Sequence, residues 1–214
     1  MSVHPRNNRR TGKERRSGKD SRSGIDRRRF DDPRYQPPPV KLHEVLPSKK
    51  AIDMSIGPKW EQIEGIRKKT RAFLRSHGFS SELVDALTMV SSELVENGMK
   101  YGSFDRPQNR ITFKLHISGN NIVVEVTHPT SPSASHHLRQ LDKTIQWIRG
   151  YQNPFQAYLE KLKEVAKKPI HDHESGLGLV RIAYEGKSIL DFFVAEDNAL
   201  NVSAIAGIEK RLWR

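Results

Sequence analysis

Two short motifs on either side of a β-hairpin pattern constrain the fold of this chain more than any other feature. The first motif, SSELVENGMKYG at residues 91–102, ends a helical pattern, and the second, ESGLGL at residues 174–179, opens another helix. Between them, residues 110–127 alternate apolar and polar side chains about a Gly-Asn-Asn turn, which is typical of two antiparallel strands. This order predicts that the two motifs belong to one domain and outline a single pocket.

Apolar periodicity predicts the remaining elements. A strand is expected at 50–56, with helices at 60–77 and from 81 onward, two helical pieces within 138–168, a short helix at 176–186 and a second hairpin at 188–208. The order β-α-α-β-β-insert-α-β-β predicts an α/β (α+β) protein. Its expected architecture is a two-layer sandwich, in which a mixed, mainly antiparallel sheet carries helices on one face.

The first 39 residues differ in composition from the rest and are predicted to be a separate, disordered tail. They hold 12 Arg and Lys against 5 Asp and Glu, and residues 9–32 form four similar Arg-rich hexads with almost no apolar side chains. A proline run closes this tail, and residues 40–214 are expected to form the folded domain. The tail is suited to nucleic acid, an anionic surface or an acidic partner, but a solvated tail is the simpler interpretation.

Composition also limits the cellular compartment and the kinds of metal site that are expected for the protein. The chain has no cysteine, which excludes disulfides and thiolate metal sites. No run reaches the roughly 18 apolar residues of a membrane span, and the start lacks the apolar segment of a signal peptide. We therefore expect a cytoplasmic protein without a membrane span.

The first motif places an acid, an amide and an ammonium along one helix. Glu93 and Asn97 are four residues apart, and Lys100 follows three later. The Asn97 amide oxygen suits Mg²⁺ as a ligand, Glu93 can act as a base, and Lys100 can neutralise phosphate. A solvent-facing polar stripe on an amphipathic helix is the alternative for these residues.

The second motif places two glycines at the start of a helix. Glycine allows close approach of the backbone to an anion, and free N–H groups at a helix N-terminus favour negative charge. A candidate phosphate-binding turn therefore runs from Gly176 through Leu177 and Gly178 to Leu179. A flexible turn before a core helix is the alternative.

The two motifs and their order resemble the GHKL ATPase superfamily, which includes histidine kinases and Hsp90, and above all its anti-sigma-factor and serine-kinase branch. The resemblance covers residues 45–208, with residues 93–102 matching the N-box and residues 176–179 the G2-box. It implies an ATP site in which Glu93 is the catalytic base and Asn97 holds Mg²⁺. It also implies action on a regulatory protein partner, similar to a sigma factor or an anti-sigma antagonist, and leaves a homodimer open.

One element of that family is missing. The G1-box Asp-x-Gly-x-Gly should follow the hairpin, and its Asp should accept a hydrogen bond from the adenine amino group. This chain has Thr127 or His128 at that place, and no Asp or Gly follows through residue 132. Both are candidate purine contacts, and loss of the polar anchor weakens discrimination between bases. ATP and Mg²⁺ binding are thus expected in weakened, altered or lost form.

The segment where the family has its ATP lid is replaced by a helical insert at about 136–170. Its aromatic residues are expected to pack rather than to contact a ligand, and the insert is a candidate partner surface. Residues 171–174, His-Asp-His-Glu, have metal-ligand chemistry, but a polar loop explains them more simply. The leading hypothesis is a bacterial regulator with a histidine-kinase-like ATP-binding domain that acts on a protein partner like an anti-sigma factor or serine-protein kinase, with ATP-dependent serine/threonine kinase activity left open. The rivals are a non-catalytic scaffold of the same fold and, more weakly, a nucleic-acid-associated protein.

Overall fold

The structure is a computed structural model and describes residues 51–131, 134–167, 176–195 and 197–208. The predicted tail at 1–39 and the His-Asp-His-Glu segment at 171–174 lie outside the described residues. The elements follow in the order β1 (Ala51–Ile56), α1 (Gln62–Ser76), α2 (Ser81–Tyr101), β2 (Ile111–Ser118), β3 (Asn121–Pro129), α3 (Ser135–Arg149), α4 (Pro154–Ala166), α5 (Leu177–Tyr184), β4 (Ser188–Val194) and β5 (Ala199–Gly207).

The strands form one five-stranded sheet in the order β1-β2-β3-β5-β4. Each neighbouring pair is antiparallel. Short turns join β2 to β3 and β4 to β5, as the alternating sequence pattern predicted. The predicted α/β (α+β) sandwich of a histidine-kinase-like ATPase fold is confirmed.

One face of the sheet is apolar and is covered by helices. In β3 the buried side chains are Ile122, Val124, Val126 and His128, while the residues between them are only partly buried. Successive strand residues point to opposite faces, so His128 continues the row of side chains that faces the helices. A histidine thus lies where the apolar row would place another core residue.

Helix α2 is the central helix of the layer that covers the sheet. Ser80 caps it, because its hydroxyl accepts a hydrogen bond from the Leu83 backbone N–H at 3.4 Å. The buried stripe of the helix includes Leu87, Val90 and Leu94. Helix α2 packs against α1 and α5, and also contacts β2 and β3.

The predicted insert forms two helices, α3 and α4. Helix α3 buries Leu141, Ile145 and Ile148, which share one face by their spacing of four and three. Helix α4 begins where Pro154 occupies the first turn and the Asn153 side chain accepts from the Phe155 N–H at 3.0 Å. Both helices contact α5, so the insert lies beside the glycine turn.

Within the described ranges, no helix is long and apolar enough to cross a membrane.

Candidate functional site

A cavity of about 400 Å³ lies between α2, the sheet and the insert. Its volume falls within the roughly 300–1,000 Å³ typical of small-molecule sites. Helix α2 lines it with Leu94, Asn97, Gly98 and Tyr101, and β3 contributes Val126 and His128. The insert and the glycine turn complete the wall, so the cavity joins both sequence motifs.

The glycine turn packs directly against the first motif. A Cβ atom placed on Gly178 would lie 2.5 Å from Oε2 of Glu93 and 3.8 Å from Nδ2 of Asn97. Only glycine fits this contact without displacing the Glu93 carboxylate. Gly176 has φ +62° and precedes α5 in a left-handed conformation that glycine adopts without strain. Both glycines and Leu179 line the cavity, whereas Leu177 does not.

Asn97 faces the cavity, while the predicted site residues Glu93 and Lys100 of its motif do not. The cavity face of α2 carries residues 94, 97, 98 and 101, the spacing of one helical stripe. Glu93 and Lys100 are seven residues apart and share a neighbouring stripe instead. Lys100 is exposed, and its Nζ lies 5.1 Å from the centroid of the Tyr101 ring. The structure thus places Lys100 outside the wall that it was predicted to join.

Glu93 is held in an ion pair with Arg181 of α5. Its Oε1 lies 2.6 Å from a guanidinium nitrogen, and Arg181 also binds Glu185, the residue that follows α5. Burial raises the pKa of the Glu93 carboxyl above its ordinary value, and the Arg181 charge opposes that shift. Glu93 lines a second cavity of about 180 Å³ with Arg67, Ser92 and Arg181. The predicted catalytic base is therefore close to the main cavity but is engaged by a cation.

His128 occupies the cavity wall at the place expected for the missing carboxylate. The residue is 3% exposed, and its Nδ1 lies 3.1 Å from the Pro129 carbonyl oxygen. Burial lowers the pKa of His128, so the neutral imidazole is favoured. With Nδ1–H donating to that carbonyl, Nε2 is an acceptor, and no described residue donates to it. A neutral acceptor in this wall suits an amino group of a ligand.

Thr127 points to the opposite face of the sheet from His128. Its hydroxyl accepts a hydrogen bond from Nδ2 of Asn201 at 2.9 Å. Of the two predicted purine contacts, only His128 lies in the cavity wall.

The insert contributes residues to the cavity that sequence reasoning missed. Lys161 and Glu164 of α4 line it, and the Lys161 Nζ lies 2.8 Å from Oε2 of Glu164. The Tyr101 ring of α2 stacks on His137 of α3 with centroids 4.1 Å apart. The Tyr101–His137 contact and the position of Lys161 in the wall bring α3 and α4 to α2, elements far apart in the sequence, and no motif marks them. The only signal was the position of the insert where a lid was expected.

The residues present fit a nucleotide better than they fit a protein-built metal site. The cavity is large enough, has apolar walls from Leu94 and Val126, and includes the glycine turn. Mg²⁺ would be held by the Asn97 amide oxygen together with phosphate oxygens, as is common for this ion. No group of three or more acids, histidines or cysteines suited to a metal occurs among the residues that the structure describes.

The family model of the histidine kinase-like ATPase domain matches residues 57–183, which include both the α2 motif and the glycine turn. The chain belongs to this family. No curated protein matches the chain. Among solved structures, a chain from the crystal structure of the SiaB-SiaC complex of Pseudomonas aeruginosa is similar, with a TM-score of 0.57 and 17% sequence identity. That match covers 72% of this chain and 88% of the other, and shows that the two chains share a fold.

Proposed function

We propose that this histidine kinase-like ATPase domain binds ATP in the cavity between α2 and the insert and regulates another protein. The observation that carries the proposal is the contact of Gly178 with the Glu93–Asn97 face of α2, beside an open cavity. It brings the amide suited to Mg²⁺ next to the turn suited to phosphate. Family membership supports nucleotide use on independent grounds.

The proposed action on a partner is that of an anti-sigma factor or serine-protein kinase. The similar solved chain was crystallised in a complex of two proteins, SiaB and SiaC, which supports a protein partner for this chain as well. For phosphoryl transfer, Glu93 would accept the proton of the attacking hydroxyl. Its burial-raised pKa suits that role, whereas the Arg181 ion pair on Oε1 at 2.6 Å lowers the basicity of the carboxylate, so opening of that pair would favour proton transfer.

The same ion pair favours a second candidate, a non-catalytic scaffold that has lost nucleotide use. In such a scaffold, Arg181 would hold Glu93 at all times. His128 would occupy the place of the family's aspartate without binding adenine. The two candidates differ in one property, which is the response to nucleotide.

The melting temperature in MgATP separates them. If ATP binds the folded chain only, stability rises by about 2.7 kcal/mol at a ligand concentration of 100 times Kd, and the melting temperature rises with ATP concentration. Asn97→Ala should remove the rise. Asn121→Ala is the matched control, because Asn121 is exposed and does not line the cavity. No shift of the wild-type protein at millimolar MgATP would overturn the ATP proposal in favour of the scaffold.

A further inference from the structure

The cavity has a cation in its wall at the glycine turn, and that cation comes from the insert. A Cβ atom on Gly176 would lie 3.0 Å from Cε and 3.4 Å from Nζ of Lys161. The Lys161 side chain is only 18% exposed, so its ammonium is held at the turn and not in open solvent. Lys100, the cation expected from the α2 motif, is exposed and outside the wall.

We propose that Lys161 binds the phosphates of the nucleotide and that Glu164 competes with them for its ammonium. This inference rests on the proposed ATP site and names the cation of that site. Lys161 ion-pairs with Glu164 at 2.8 Å, and the Glu164 side chain is 51% exposed. A half-exposed carboxylate can turn toward water, so a phosphate oxygen can take its place on Lys161.

The other residues of the cavity wall indicate how the nucleotide would be oriented. His128 lies against Gly98, where a Cβ atom would be 3.3 Å from the imidazole Cδ2, and Val126 lies beside it. His128 and Val126 together offer a ligand a neutral acceptor beside an apolar surface, which suits a base with an amino group. Lys161 lies instead at Gly176, the residue before α5, where backbone N–H groups and a cation favour an anion. The base therefore points toward His128 and the phosphates toward Lys161.

The arrangement makes α4 a part of the binding site and not only a cover. Lys161 reaches Gly176 from α4, so any partner or movement that displaces α4 removes a phosphate ligand. Nucleotide affinity and the position of α4 are then coupled.

Calorimetric titration of the full chain with MgATP and with adenosine tests the assignment in three variants. Lys161→Gln should weaken MgATP binding by about tenfold or more, as expected for loss of a charge-assisted contact, and leave adenosine affinity unchanged. Lys163→Gln is the matched control, because Lys163 is on the same helix, 66% exposed and paired with Glu160. Glu164→Gln should tighten MgATP binding, because it frees the Lys161 ammonium and removes a competing negative charge.

The outcomes separate this inference from the proposed function. If the wild-type protein binds MgATP and Lys161→Gln binds it equally well, the Lys161 assignment is wrong and the ATP site stands. An equal loss for adenosine and MgATP in Lys161→Gln also contradicts the assignment, because it indicates a damaged fold. Weaker MgATP binding by Glu164→Gln contradicts the proposed competition. If the wild-type protein binds neither ligand, the proposed function fails and the assignment fails with it.

Discussion

Replacing Gly178 by alanine tests the close contact between α5 and the Glu93 side of α2. The new Cβ would lie 2.5 Å from the Glu93 oxygen, about 1 Å inside ordinary contact distance. Glu93 cannot yield freely, because Arg181 holds it at 2.6 Å. Overpacking of this kind costs about 1–3 kcal/mol. We therefore expect Gly178→Ala to lower the free energy of unfolding by that amount, measured by urea denaturation at neutral pH.

Two matched variants isolate the cause. Gly65 lies within α1, and a Cβ there would meet no atom within 4 Å, so Gly65→Ala should stabilise the protein by about 0.5–1 kcal/mol. In a Glu93→Ala background the obstructing oxygen is gone, so Gly178→Ala should cost less than about 0.5 kcal/mol. The reasoning is refuted if Gly178→Ala is as harmless as Gly65→Ala, or if its cost is unchanged when Glu93 is absent.

Two further predictions concern ionisation. Arg181→Gln should destabilise the protein by about 1–2 kcal/mol. Burial raises the pKa of Glu93 in the folded state, so the loss of stability should grow as the pH rises through that pKa and the carboxyl ionises without its partner. The double variant Arg181→Gln with Glu93→Gln should lose that pH dependence in denaturation curves. If the pH dependence persists, Glu93 is not its cause. For His128, burial lowers the pKa from its ordinary value of 6.5, so wild-type stability should fall as pH drops below that value. Between about pH 7 and 5, the His128→Gln variant should lose less stability than the wild-type protein. Equal losses in the two proteins would contradict the burial of a neutral imidazole.

An exposed ion pair provides the control for the Arg181 variant. Lys187 and Glu82 lie 3.4 Å apart with both side chains 75% exposed. Exposed pairs contribute little, so Lys187→Gln should leave the unfolding free energy and its pH dependence nearly unchanged.

The periodic part of the fold was predictable because its signals are local. The stripe of Leu87, Val90 and Leu94 predicted α2, and the alternation of β2 and β3 predicted their hairpin. The alternation of side chains along a strand could have separated His128 from Thr127, because Val124 and Val126 show that every second residue of β3, and thus His128, faces the core. Helical spacing alone could not have excluded Lys100, because residues 93, 97 and 100 follow the i, i+4, i+7 spacing of one helical face.

The remaining site residues were not predictable from local pattern. Lys161 reaches Gly176 across an insert, and Arg181 reaches Glu93 across 88 residues of sequence. Such contacts depend on how helices pack, and helix periodicity does not encode the choice of partner. The insert was expected from its length and apolar pattern, but its role in the cavity wall depends on the packing of α4 against α5.

Hydrogen exchange of the intact protein with and without MgATP tests the central claim most directly, because it reports where a ligand acts. The account predicts slower amide exchange in residues 94–101 of α2, in α3 and α4, and at the start of α5. Exchange at β1, an edge strand away from the cavity, should be unchanged. Exchange that is the same everywhere at saturating MgATP, or protection confined to segments outside the cavity wall, would contradict a nucleotide site between α2 and the insert.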